Sequence, residues 1–495
     1  MSNRSSIASH ESPFALAPEL TREYLLHHRI CPKAFGDDGV VIVAATDDAF
    51  RVGIEEVAGV YHRRASVVTV ARDELERLIE RLTTHTERTV ELARAVSAGD
   101  DLATDVRDLA NQPPVIRYVN LLVRDAYDAA ASDIHLEATR TGLTARFRVD
   151  GVLGPAPEPP SHLHHAVISR IKLLAELDIA ERRRPQDGRI RVRLESRELD
   201  LRVSTIPTIY GESLVLRLLD QGGRPVSLEQ LGMSEHVLAE FARLSARPHG
   251  MVLVTGPTGS GKTTTLYGAL QQRDASVEKL ITVEDPIEYQ LAGITQMPVH
   301  RQAGVTFAAA LRAILRQDPD VVMIGEMRDQ ETASIAIQAA MTGHLVFSTL
   351  HTNDAVSAIP RLLDLGVADY LAAATLEGVL AQRLVRCVCP ACRTSYHPSH
   401  DALASIVGGA VEHRSFSRGA GCASCRGTGF RGRAGIFELL TVTDEIRDAI
   451  ASRAPRSRLT ALAASSGCIS LKTDGWSKIE RGITTVEEVA RVVQN

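Results

Sequence analysis

The run Gly256-Pro257-Thr258-Gly259-Ser260-Gly261-Lys262-Thr263 has the residue types and spacing needed to hold a triphosphate. It fits the pattern G-x-x-x-x-G-K-[ST], and Thr264 adds one more hydroxyl. The glycines let backbone N–H groups turn inward around phosphate oxygens. A helix starting here would add partial positive charge at the same spot. Lys262 is long enough to reach the β- and γ-phosphates, and Thr263 is placed to ligate Mg2+. The expected ligands are therefore ATP and Mg2+. The plainer alternative is a glycine-rich turn between a strand and a helix. The Lys-Thr pair argues against it. So do the flanks, an apolar strand candidate at 251–255 and a helix candidate at 263–272.

Hydrolysis of a phosphoanhydride needs acids near the metal and the attacking water. Two stand at the ends of apolar runs. Residues 320–326, Asp-Val-Val-Met-Ile-Gly-Glu, end in Glu326 and read as a Walker B segment. Residues 283–288, Val-Glu-Asp-Pro-Ile-Glu, carry Glu284. Ligands of a parallel sheet collect beyond the carboxyl ends of its strands, so both acids would face the nucleotide. Acids also end strands simply because the chain reaches solvent there, and it is the phosphate loop that favours function. His344 and His351 flank residues 345–350. For His344, sensing of the γ-phosphate competes with the role of a satisfied core histidine. Arg202, Arg217, Arg312 and Arg316 are candidates to stabilise charge on the transferred group, within one chain or from a neighbour. Ordinary solvated or salt-bridged arginine is the alternative, and composition does not separate the two.

Cys389 and Cys392, then Cys422 and Cys425, form two C-x-x-C pairs. Four thiolates satisfy tetrahedral Zn2+ with no open position, so the site would be structural. The gap between the pairs is longer than in a common zinc ribbon, so the intervening residues must form an excursion. Cys387 is near enough to compete as a ligand but breaks the pair spacing. The alternative is four ordinary buried cysteines.

The elements that must position these groups follow from apolar patterning. Strand candidates at 251–255, 280–283, 321–324 and 345–350 alternate with helix-length segments, which argues a mainly parallel sheet with helices on both faces. The fold class is α/β, built on a P-loop core. Upstream, a strand candidate at 40–45 and a helix candidate at 72–82 suggest a small mixed domain. A helix at 115–130 and strands at 143–149, 190–194, 199–204 and 214–218 suggest a second. Polar residues 97–112 read as a linker and 221–225 as a flexible joint. Thr485 with Glu488 fits a capping box for a last helix over 486–493. The expected domains are 1–95, 96–222, 223–385, 386–433 and 434–495. Residues 332–350 lack Asp, Glu, Lys and Arg but hold several hydroxyls and Gly343. They read as a buried helix, a turn and a core strand, not a membrane span. The polar residues 1–11 do not read as a secretory signal. A formal net charge of -5 and only 4% aromatic residues argue against nucleic acid as a partner.

Taken in order, these motifs resemble the secretion ATPases of the type II and type IV pilus class. The resemblance covers roughly residues 100–495. It rests on Ala-Ser-Asp-Ile-His-Leu-Glu at 131–137, Phe-Arg-Val-Asp-Gly at 147–151 and Arg-Pro-Gln-Asp-Gly-Arg at 184–189. The phosphate loop, the acidic segment 282–288, the Walker B region 317–329 and the histidine segment 342–352 continue it. Gly-Phe-Arg-Gly-Arg at 429–433 with Gly-Ile-Phe-Glu at 435–438 resembles the segment after the family's zinc module. The cysteine module and modest N-terminal region look most like the general secretory pathway protein E branch, the type II secretion system ATPases.

The resemblance implies a RecA-like ATPase core preceded by mixed α+β domains, the second PAS-like and contributing arginines. It implies a homohexamer that hydrolyses ATP as a protein-secreting translocase. Glu284 would activate water and Glu326 would organise Mg2+ and the γ-phosphate. Arg202, Arg217, Arg312 and Arg316 match positions proposed to contact phosphates within or between subunits. Residues 1–95 would dock onto an L-type inner-membrane secretion partner, with an inner-membrane platform protein as a further partner. The location would be cytoplasmic, peripheral to the inner membrane. A type IV pilus assembly ATPase is the nearest rival. A nucleic-acid motor with a zinc knuckle and a regulatory nucleotide-binding protein without turnover are the others.

Overall fold

The strand Gly250–Thr255 is buried along its whole length, and its alternate residues enter two different cores. Met251 and Leu253 pack with Ile281, Val283, Val322 and Ile324 beneath the helices Phe307–Ile314 and Gln330–Met341. Val252 and Val254 pack with Met323 and Phe347 beneath the helices Glu235–Ser245 and Lys262–Gln271. Burial on both faces removes any polar alternation from such strands and requires helices on either side of the sheet.

The computed structural model describes residues 17, 20–35, 40–61, 63–80, 82, 111–194, 197–220, 226–407 and 415–493. Most of the expected linker at 97–112, all of the joint at 221–225 and residues 1–11 lie outside these. The described residues part into two compact units, the first holding those up to Leu219 together with Ala420–Gly429, the second those of Asp220–Gly419 and from Phe430 onward. In the second unit, seven strands run across one sheet in the order Thr295–Pro298, Leu280–Glu284, Val321–Ile324, Leu345–Leu350, Gly250–Thr255, Leu376–Val388, Phe430–Thr441. The first six are mutually parallel, and Phe430–Thr441 closes one edge antiparallel to Leu376–Val388.

The four core strands expected from apolar runs are present, within one residue at each end. Residues 332–350 form most of the helix Gln330–Met341, a turn and the strand Leu345–Leu350. Among the described residues, no helix is long and apolar enough to cross a membrane.

Three strands of this sheet, Thr295–Pro298, Leu376–Val388 and Phe430–Thr441, escaped the apolar-run reading. Residues 434–441, expected to open a helical tail, instead complete Phe430–Thr441. Its run Ile436-Phe437-Glu438-Leu439-Leu440 suits a helix or a strand equally by periodicity. The long partner Leu376–Val388 decides it, by pairing Leu439 with Leu380 and Leu440 with Val379. The expected boundaries at 385/386 and 433/434 therefore fall inside strands. The rest of the tail is helical: Asp444–Ala451, Arg456–Ser465, Leu471–Glu480 and Val486–Val493. At the last helix the Thr485 hydroxyl accepts the Glu488 N–H at 3.2 Å, one half of a capping box. The Glu488 carboxylate does not return to the cap. It accepts from the Arg386 backbone N–H at 3.1 Å and the Arg386 guanidinium at 2.8 Å, tying the helix to the end of Leu376–Val388.

The first unit holds two further sheets. Ile30–Phe35, Val41–Ala45 and Ala65–Thr69 form a three-stranded sheet with helices Arg22–His28, Arg51–Val60 and residues 72–80. A six-stranded sheet follows in the order Val152–Pro155, Gly142–Val149, Ala131–Thr139, Gly211–Asp220, Arg197–Thr208, Gln186–Leu194. The helices Pro113–Asp128 and His164–Leu174 share its core. On Ala131–Thr139, Ile134 and Leu136 enter that core while Asp133, His135 and Glu137 take the other face.

Phe437 is fully buried beside Leu380 and Leu439. Phe437→Ala should lower stability by about 3–5 kcal/mol. Urea unfolding followed by the single tryptophan, Trp476, measures this, and a loss below about 1 kcal/mol would contradict the strand assignment.

Candidate active site

The phosphate loop leaves the carboxyl end of Gly250–Thr255 and enters the helix Lys262–Gln271. Gly261 caps that helix at φ 86, a left-handed conformation in which an L side chain is strained. Gly256 is required by space: a Cβ there would meet the Gln382 carbonyl at 2.5 Å and the Ser260 hydroxyl at 2.6 Å. The Ser260 hydroxyl is buried and has no hydrogen-bond partner. Lys262 turns back over the loop and donates to the carbonyls of Gly256 at 2.8 Å and Pro257 at 3.0 Å. Burial pushes its ammonium down to about 8, with Glu326 opposing the fall and Arg383 adding to it. A lysine so placed, facing only the more distant Glu326 charge, gains a close counter-charge when an anion enters the loop.

Glu326 follows Val321–Ile324 by two residues, at the same end of the sheet as the loop. Its carboxylate pairs with Arg328 at 2.6 Å and lies 3.7 Å from His351 Nε2. Burial and then Lys262 hold His351 below the ordinary imidazole range, against the pull of Glu326. Lys262, Glu326, Arg328 and His351 thus form one electrostatic group around the loop mouth.

Glu284 ends the next strand but is turned inward and buried. One carboxylate oxygen accepts from the Thr282 hydroxyl at 2.6 Å and the Gln296 amide at 3.1 Å. The other accepts from the Tyr267 hydroxyl on the phosphate-loop helix. Tyr267 in turn accepts the Glu288 backbone N–H at 3.4 Å. Every oxygen of Glu284 is therefore engaged within the core.

His344 sits elsewhere. It precedes Leu345, and its carbonyl accepts the Gly250 N–H at the amino end of the sheet. A six-residue strand, roughly 20 Å, separates it from the loop. Its ring is occupied by the Ala339 carbonyl at 2.9 Å and the Thr342 hydroxyl at 3.2 Å. Within one chain, the histidine beside Glu326 is His351, not His344. Arg312 pairs with Glu331 at 2.5 Å, and Arg316 donates to the Arg312 carbonyl at 2.8 Å, both on exposed surface. Arg217 donates from Nε to Asp133 at 3.0 Å, and Arg202 lies opposite Arg189 in the six-stranded sheet.

The four cysteines come together. The Sγ atoms of Cys389, Cys392, Cys422 and Cys425 all lie within 4.8 Å of one another. Tetrahedral coordination at about 2.3 Å per bond places sulfurs about 3.8 Å apart. Cys422 and Cys425 are at 3.8 Å. Cys425 Sγ also accepts backbone N–H groups from Cys422 and Gly429, each at 3.2 Å, as a metal-bound thiolate does. The donor set fits a structural metal ion.

Residues 108–491 match the family described as Type II/IV secretion system protein. The chain belongs to that family. The type II secretion system protein HxcR of Pseudomonas aeruginosa is 47% identical over 443 residues, covering 88% of this chain and 91% of that one. The type II secretion system ATPase E of Vibrio cholerae is 45% identical over 421 residues, covering 85% and 83%. Among solved structures, the pilus retraction motor PilT with bound ADP aligns at TM-score 0.52 and 27% identity, over 75% of this chain and 96% of that one.

In this secretion family member, the loop residues and the four cysteines were found by motif. Arg328, Gln382 and Arg383, which line the loop or its acid, were not assigned. Gln382 and Arg383 had one available signal: a polar pair inside an otherwise apolar run.

Two outcomes are expected. Nucleotide affinity should fall as pH rises through about 8, by up to tenfold per unit, because phosphate needs the Lys262 ammonium. Titration with a fluorescent ADP analogue checks this, and a flat profile would contradict it. Stability of the free protein has the opposite slope. Between about 8 and the ordinary 10.5 the unfolded chain holds this proton and the folded chain does not, so Lys262 contributes a rise with pH. Metal removal is the second case. Phe416, on the strand paired with Arg393–Tyr396 between the cysteine pairs, meets the Trp476 ring at 5.7 Å. Chelation should therefore change Trp476 emission as about one zinc per chain is released, and unaltered emission would contradict a structural metal.

Proposed function

We propose that this chain is an ATPase of type II protein secretion that drives pseudopilus assembly. The observation that carries the reading is Lys262 poised between the phosphate loop and Glu326 at the carboxyl end of a parallel sheet. It occurs in a chain 45–49% identical to proteins named for type II secretion.

Residues 256–264 hold the phosphates of ATP through backbone N–H groups, Lys262 and hydroxyls. Thr263 and Glu326 are the residues that would hold Mg2+, which supplies charge neutralisation for the transferred phosphoryl group. Arg328 and His351 fix the Glu326 carboxylate. Glu284 is the family's candidate for activating water, a role that requires its bonds to Thr282, Gln296 and Tyr267 to open. In the arrangement found here it positions segment 285–288 against the phosphate-loop helix. Arg202, Arg217, Arg312 and Arg316 serve phosphates within or between subunits of a homohexamer. His344, distant from its own loop, has no role at that loop. Zn2+ occupies the four cysteines. Residues 1–95 dock on an L-type inner-membrane partner, and a platform protein receives the motion. The motor is then cytoplasmic, peripheral to the inner membrane, a translocase with no nucleic-acid ligand. The likeness to PilT favours one second reading, a type IV pilus assembly ATPase.

The test pairs two variants. Glu326→Gln should lower steady-state hydrolysis by roughly a hundred-fold or more, leaving ATP affinity and thermal midpoint near native. Glu284→Gln should lower the thermal midpoint as well, because an amide leaves only one accepting oxygen for the three buried donors Thr282, Tyr267 and Gln296. Unchanged turnover in Glu326→Gln would sink the assignment. Stimulation of hydrolysis by the L-type partner, absent with pilus-assembly components, separates secretion from pilus assembly.

A further inference from the structure

Gln382 and Arg383 are both buried in the strand Leu376–Val388. The Gln382 carbonyl accepts from the Arg383 guanidinium at 3.2 Å. The other end of the guanidinium donates to the Asn353 carbonyl at 2.9 Å and to its side-chain oxygen at 3.2 Å. All three acceptors are neutral. No carboxylate among the described residues forms an ion pair with Arg383, although Asp354 and Glu438 act on it through space. Both acids are already engaged. Asp354 pairs with Arg456 at 2.6 Å and accepts the Ser357 N–H at 2.7 Å. Glu438 accepts the backbone N–H groups of Ala355 at 2.8 Å and Leu471 at 3.2 Å.

A cation only 4% exposed and bonded to dipoles alone is costly unless an anion shares its space. Beside it stands the first glycine of the phosphate loop. The point where a Cβ on Gly256 would stand is 3.1 Å from Arg383 Nη1. The carbonyl of the same glycine holds Lys262. Gly256 thus lies between two cations.

We propose that Arg383 is a positioning residue for the phosphate loop, locked to Asn353, bracing Gly256 and supplying a second buried cation whose counter-charge is the polyphosphate of a bound nucleotide. This rests on the nucleotide-binding reading above. It adds a consequence that Lys262 alone does not carry. Asn353 follows Thr352, whose hydroxyl bonds that of Thr255, the last residue before the loop, at 2.7 Å. A polyphosphate that draws Arg383 toward Gly256 therefore pulls on segment 352–355. That segment is tied to the C-terminal helices by Asp354 with Arg456 and by Glu438 with Leu471.

Arg383→Gln in the full chain tests it, with ADP as the probe and calorimetric titration between about 0.05 and 0.5 M salt at neutral pH. Losing the guanidinium should weaken ADP binding roughly tenfold at low salt. It should also flatten the fall of affinity with salt, because one cation facing the polyphosphate is gone, a change that a merely structural residue would not cause. Affinity within about twofold of native with the salt dependence in place would overturn the proposal. Where circular dichroism shows that the Gln variant is unfolded, Arg383→Lys decides. It retains charge but not the fork to Asn353, so affinity should fall several-fold with the salt dependence unmoved, and native affinity would overturn the brace. Lys262→Ala is the control. Native ADP binding in that variant would fail the nucleotide reading itself. Loss there, with Arg383→Gln unaffected, would fail this inference alone.

Discussion

Two positive charges stand close together behind one glycine, and much of the site is arranged around that constraint. Lys262 and Arg383 both lose hydration, and the guanidinium makes it harder for Lys262 to stay charged. Neutral carbonyls hold both of them in place. The nearby carboxylates are committed to other partners, Glu326 to Arg328, Asp354 to Arg456 and Glu438 to backbone N–H groups. The loop is therefore preorganised for a polyanion, and the desolvated charges make that preference stronger than exposed ones would.

Preorganisation of this kind needs a rigid frame. The frame is a sheet buried on both faces, with residues of successive strands in parallel register delivering their last residues to one edge. Thr255, Glu284, Ile324 and Leu350 all end there. The antiparallel strand Phe430–Thr441 extends the same sheet and carries Glu438 to the segment after the histidine motif. A change at the loop is thus mechanically continuous with the C-terminal helices, which suits a motor more than a simple binding protein.

The two acids separate by environment. Glu326 is set among Arg328, His351 and Lys262 at the loop mouth, whereas Glu284 is consumed by three donors inside the core. Their sequence contexts look alike, an apolar run ending in an acid. The direction in which each side chain turns depends on neighbours far away in the chain, Tyr267 for Glu284 and His351 for Glu326.

What the amino-acid sequence determined by itself was whatever depends on local spacing. The phosphate loop, its flanking strand and helix, the central strands and the paired cysteines are all short-range patterns, and each was legible. The helical tail was legible except for residues 434–441, because one apolar run satisfies both periods until a partner strand is present. Tertiary structure alone decided the rest. It set His344 a strand length from the loop and His351 beside Glu326, because one strand has two ends and sequence spacing does not say which faces the ligand. It also brought Gln382 and Arg383 against Gly256 across more than a hundred residues. Charge partnership in a buried site is a property of packing, and no local pattern encodes it.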